Sequence, residues 1–302
     1  GVVALASQNF TTVTDTYNVA VGYSAGGAVT TGVSNTLIGG LAGDAITTGE
    51  LNTYVGSSAG SASTTSDNNT AVGGFAFDAG TGNRNTAVGS GALGGSSNSA
   101  DENTAVGRDA GNAISTGSVN TLIGAFSADA MTTGVRNVAV GYATLSDDTQ
   151  GQRSTAIGYG ALPVQNFTTA TITNNTAVGH LAGGSVTTGV RNTLIGSAAG
   201  DAITDADNNV AVGSFALTSN QLGSQSVAIG DGALSDQNPS TATSMYNVAV
   251  GHNAANVLTT GVRNVTVGAF AGDGLTSGGN NIAIGLNALT TEDAGSFNIA
   301  IG

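Results

Sequence analysis

Apolar and polar positions alternate in a five-residue phrase that returns about every 17 residues along the chain, most often as Asn-Thr-Ala-Val-Gly. Its closing glycines run from Gly22, Gly39 and Gly56 through Gly124, Gly196 and Gly268 to Gly302, and Gly1 opens the same frame. The intervals between them are twelve of 17 residues, three of 21, one of 16 and one of 18. Relative to each glycine, position −1 is always Val or Ile, position −3 is Thr, Val or Ile, and position −2 is usually Ala. Small and β-branched residues in this alternation predict one short strand of five residues per repeat. Positions −1 and −3 share one side of it, and −4, −2 and the glycine share the other. Neither side carries charge, so both are expected to be covered. Self-similarity at this period predicts an all-β parallel solenoid, or β-roll, of about 17 stacked coils, each burying its apolar side against its neighbours. Residues 1–302 then form a single continuous repeat array.

The rest of each coil repeats as closely. Position +3 is Ala in 15 of 17 coils, with Ser127 and Thr144 the exceptions, which predicts a buried column with no room for larger side chains. The glycine column has two candidate causes. A corner there could need φ > 0, or the backbone could approach another chain too closely for a Cβ. Thr-Thr-Gly, as at Thr187-Thr188-Gly189, carries turn chemistry. Position −4 is Asn except at Ser154 and Ser226. It reads equally as a stacked amide ladder or as a turn residue that tolerates the left-handed conformation.

A slower period lies over the first. The 21-residue coils begin at Gly1, Gly158 and Gly230, and residues 158–230 and 230–302 are four-coil blocks of 72 residues. Two long coils share the text Gln8-Asn9-Phe10-Thr11 and Gln165-Asn166-Phe167-Thr168, and the third reads Gln237-Asn238. Insertions repeated on one face are where such scaffolds usually bind, so these ten residues are the candidate binding loops. Hydrogen-bonding groups beside one apolar residue suit weak, multivalent contact with a glycan or a protein surface.

Composition narrows the classes. Charged residues are 8% of the chain and aromatics 5%, which suits thin stacked layers better than a core of large side chains. A net charge of −13 with no lysine argues against nucleic acid and against anionic lipid. No apolar run is long enough to span a membrane and no signal peptide is visible. Without cysteine there is neither a disulfide nor a thiolate metal site. His180 and His252 stand four coils apart, roughly 19 Å at ~4.8 Å per layer, too far to share a metal. No nucleophile, base and orienting group converge, so neither catalysis nor a cofactor is expected. Arg136, Arg191 and Arg263 precede the −4 Asn and are expected to pair with a neighbouring Asp, or else to touch a ligand. The array starts and stops on an anchor glycine without a polar cap, as a segment of a longer fibre or a unit stacking end to end would.

The text Asn-Thr-Ala-Val-Gly-x-x-Ala with a later Thr-Thr-Gly resembles the head repeats of trimeric autotransporter adhesins. It is closer still to the 17-residue repeats of phage and bacterial tail-fibre-like proteins, and the likeness covers the whole chain. What the resemblance implies is a left-handed roll, three parallel chains around one axis, and an adhesive fibre on a bacterial surface or virion tail. The expected function is a non-enzymatic extracellular structural or adhesive fibre. A self-polymerising filament and an ice-binding solenoid, the latter suggested by the Thr-Thr columns, are the alternatives.

Overall fold

The computed structural model describes residues 1–95 and 98–302, and among them every regular element is a short strand. The chain divides into two compact units, Gly1–Gln152 with Thr168–Ala170, and Arg153–Phe167 with Thr171–Gly302. The first carries the strands Val19–Val21, Thr36–Ile38, Thr53–Val55, Thr70–Val72, Thr86–Val88, Thr104–Val106, Thr121–Ile123 and Val138–Val140. The second carries Thr155–Ile157, Thr176–Val178, Thr193–Ile195, Val210–Val212, Val227–Ile229, Val248–Val250, Val265–Val267, Ile282–Ile284 and Ile299–Ile301. Within each unit, every strand pairs in parallel with the strand one coil on. Equivalent positions face each other, as in Thr193 with Val210, Leu194 with Ala211 and Ile195 with Val212. The fold is the parallel β-solenoid of about 17 coils that the period predicts.

The strands are three residues long, not five, and the reason lies at both ends. At −4 the backbone N–H donates to the side-chain oxygen of the preceding Asn: Asn52 to Asn35 Oδ1 at 3.0 Å, Asn192 to Asn175 Oδ1 at 2.9 Å. The strand's own bonding therefore begins one residue later. At the other end the anchor glycine turns the chain, with φ of 135° at Gly196 and 133° at Gly268. A Cβ on Gly196 would also press into the Gly213 carbonyl, 2.6 Å from its carbon. The φ > 0 corner expected for the glycine column is present, and the close approach comes from the next anchor of the same chain and not, as expected, from another chain.

The −2 side chains and the +3 alanines point inward and are buried in all but the end coils. Their column is filled by exchange between positions. Where −2 is large, position +4 of its own coil and of the preceding coil is Gly or Ala: Leu194 lies between Gly183 and Gly200, and Leu37 between Gly26 and Gly43. A Cβ on Gly183 or on Gly200 would come 2.8 Å from a Leu194 methyl. At Leu145 and Leu217, where +4 is instead large and buried, position +7 turns polar and caps the turn, while the larger Phe77 has Gly80 at +7. Asp148 Oδ1 and Asn220 Oδ1 accept the N–H of Gly151 and Gly223 at 2.9 and 3.0 Å. Tyr54 takes the −2 place in one coil, and Ser63, at +7, meets its hydroxyl at 2.9 Å. Burial pushes that phenol up to about 12.

The −1 and −3 side chains point the other way. Inside the stack Ile38 and Ile195 are each 38% exposed, and in the end strands Val21 is 56% and Ile301 73% exposed. The expectation that both sides are covered is corrected: within one chain, one side of every strand is only partly buried.

Candidate functional surface

The buried Asn column is a ladder, built mostly from side chain to backbone. In the 17-residue coils a typical Asn oxygen accepts the N–H of the −4 residue one coil on, as Asn192 Oδ1 does from Asn209, and its Nδ2 donates to a turn carbonyl 14 residues ahead, as Asn192 does to Ala206 at 2.8 Å. Some rungs add an amide-to-amide bond, such as Asn52 Nδ2 to Asn35 Oδ1 at 3.1 Å. The left-handed residue at this corner is the one before the Asn, with φ of 58° at Arg136 and Arg191 and 57° at Arg263.

The long coils interrupt this ladder, and their glutamines mend it. Serine replaces the −4 Asn at Ser154 and Ser226, in the strand just before a long coil, so no amide oxygen waits for the next rung. Gln165 Oε1 accepts from Asn175 Nδ2 at 2.8 Å while its Nε2 donates to Ser154 Oγ at 3.1 Å. Gln237 Oε1 accepts from Asn247 Nδ2 at 2.9 Å and from Ser226 Oγ at 3.0 Å. Gln8 faces Asn18 in the same way at 3.5 Å. Gln165 and Gln237 are wholly buried, and Phe167 is 7% exposed. Met245, the large apolar residue near the end of the third long coil, is buried too. Of the ten candidate loop residues, Asn9, Thr11, Asn166, Thr168 and Asn238 remain exposed, while Gln8 and Phe10 are half-buried. The pairing of Ser at −4 with Gln at +7 was the signal in the sequence that these glutamines work inward.

The threonine turns also bond inward. Thr30, Thr132 and Thr187 each donate a hydroxyl proton to the carbonyl of the Thr one coil on, at 3.1 Å in every case. Arg191 donates to Asn208 Oδ1 at 2.8 Å, so its partner is an amide and not the expected Asp. Arg84 pairs with Glu102 at 3.0 Å on the surface.

At +1 and +2, just past each anchor, the chain makes an exposed corner. Arg108 stacks over the Phe126 ring at 4.3 Å, and Tyr142 meets Phe126 edge-on at 5.8 Å. In the second unit Tyr159 lies nearly parallel to His180 at 5.4 Å, and His252 meets Phe270 edge-on at 5.2 Å. Both histidines are thus occupied by rings one coil away. Among the described residues, no group of three or more His, Cys, Asp or Glu could hold a metal ion, and no helix is long and apolar enough to cross a membrane. Burial raises the carboxyls of Asp44 and Asp129 at position +5, with repulsion from Asp78 adding to the first and from Asp147 and Asp109 to the second.

Compared with the models of known protein families the chain matches none, and no curated protein matches it either. The class rests on the coordinates alone: a repeat protein of the parallel β-solenoid type.

Proposed function

We propose that the chain is a non-enzymatic structural and adhesive fibre segment, extracellular, on a bacterial surface or virion tail, in which three parallel copies pack through the outward side of their strands. The observation that carries this is the uninterrupted row of Val and Ile at −1, open in one chain and in register through each unit. An apolar ribbon of that length exceeds what soluble monomers usually leave in water. Like residues at like heights suit a symmetric parallel contact. The repeat text supplies the adhesive half of the reading, through the resemblance to adhesin heads and tail fibres. Light scattering on the purified chain is the test: a stable trimer supports the reading, and a folded monomer at micromolar concentration refutes it.

One observation favours an ice-binding surface as a second reading. Thr36, Thr53, Thr70, Thr86, Thr104 and Thr121 stand in register on the outward side of consecutive strands. The row is interrupted at Val138 and turns to Val and Ile from Val210 onward, which shortens any water-ordering lattice. A thermal-hysteresis measurement decides between the two.

A further inference from the structure

Position +2 holds a left-handed residue in coil after coil. Asn253, Asn287, Asp109 and Ser58 suit it, as do Gly91, Gly160 and Gly232. Four of the chain's eight phenylalanines nevertheless sit at this corner: Phe75, Phe126, Phe215 and Phe270, with φ between 55° and 58°. A bulky residue in this region is strained. At Phe75, 55% exposed, and Phe215, 52% exposed, burial does not compensate, whereas Phe126 and Phe270 are half-buried beside Arg108, Tyr142 and His252. Strain and exposure falling together at Phe75 and at its counterpart Phe215 point to a use outside the chain.

The spacing narrows the use. In the first unit the column opens with Val3 in the end coil and then carries Leu41, Phe75 and Phe126, the last three separated by two coils and then three. The second unit repeats that order with Leu181, Phe215 and Phe270. At ~4.8 Å per coil the gaps are roughly 10 and 14 Å, so Phe75 and Phe215 stand apart from the other large residues of the column, while Phe126 packs with Arg108 and Tyr142 and Phe270 with His252. Between them come hydrogen-bonding groups and glycines: Ser90, Gly91 and Asp109 in one unit, Asp231, Gly232 and Asn253 in the other. Isolated rings with polar groups between them suit sugar rings, whose C–H faces stack on aromatics while their hydroxyls bond at the edges. A protein partner would call for contiguous apolar area. A net charge of −13 disfavours an anionic polymer.

We propose that this column binds an uncharged polysaccharide lying across successive coils, each exposed phenyl stacking on one sugar. The inference rests on the adhesive reading above and names its ligand class and its site.

The test replaces the two exposed rings with the residue the corner already accepts, in one variant carrying Phe75→Asn and Phe215→Asn. Parent and variant are sedimented with cellulose, chitin, starch granules and immobilised mannan, and both are melted and sized by light scattering. The expected result is parent retention on at least one polymer, at least tenfold weaker retention of the variant, and a variant Tm equal to or above the parent's. Three results overturn the proposal: no retention of the parent, equal retention of the variant, or a lowered Tm. A variant that dissociates while the parent is oligomeric overturns it as well, because the column is then a contact between chains. A monomeric parent that is still retained would refute the trimeric fibre and leave the sugar surface standing.

Discussion

The strand Thr193–Ile195 separates two surfaces that share a backbone and little else. On the inward side, Asn192 and Leu194 are buried and individually matched, the amide to Asn175, Asn209 and Ala206, the isobutyl group to Gly183 and Gly200. On the outward side, Thr193 and Ile195 repeat their neighbours and are partly open. The inward side holds one coil to the next within a chain. The outward side contributes less to that stack, packing only along its own row, and its uniformity suits the contact between chains proposed above. Substitutions within this one coil separate the two roles.

Gly196→Val should be the most damaging, because it meets both a forbidden φ and the Gly213 carbonyl. A loss of about 4 kcal/mol is expected in denaturant unfolding, from strain and overpacking together. An unchanged midpoint would show that the column is not a structural requirement. Leu194→Ala should cost about 3 kcal/mol, since its glycine neighbours have no side chains to close the gap. Calorimetry showing a much smaller loss would mean that the column collapses. Asn192→Ala strips the partners from the Asn209 N–H and the Ala206 carbonyl, for about 2 kcal/mol or more. Hydrogen exchange should speed up at Asn209 first, and uniform protection would contradict the ladder.

Ile195→Asp turns to the outward side. Unfolding of the separated chain should move by less than about 0.5 kcal/mol, while the assembled species seen in light scattering is lost. Equal damage to both would erase the distinction between the sides. The smallest effect is expected at Asp129, on neither side of the strand. Its carboxyl is raised by burial, so the folded chain holds that proton more tightly than the unfolded one. Stability is then lost as pH rises from the ordinary carboxylate range through the raised value. Asp129→Asn should melt slightly higher at neutral pH and flatten that part of the profile, and an identical profile would exclude the contribution.

Much of this was written plainly in the chain. The −1 column, the +3 alanines and the coil count could be read because the same letter recurs at the same place. Three things could not. The left-handed corners at −5, +2 and +4 hold Arg, Leu, Phe or Ser as readily as Gly, because stacked neighbours impose the backbone and the side chain is free to vary. The exchange between −2, +4 and +7 conserves volume across positions, so no single column reveals it. Gln165 and Phe167 look like surface polarity beside an aromatic, since an insertion read alone gives no sign of the ladder gap it fills.

That gap and its filler have a consequence for how the array can change in evolution. Serine ends one block at Ser154 and the next at Ser226, and a glutamine follows in the coil after each, at Gln165 and Gln237. Residues 158–229 could be copied or excised whole, and every serine would still meet a glutamine at the joint. A cut two coils away would leave a serine facing an asparagine-type coil, with a rung unmade. Recombination thus has a preferred step of four coils, and coil number becomes a trait that lineages can vary without relearning how to fold.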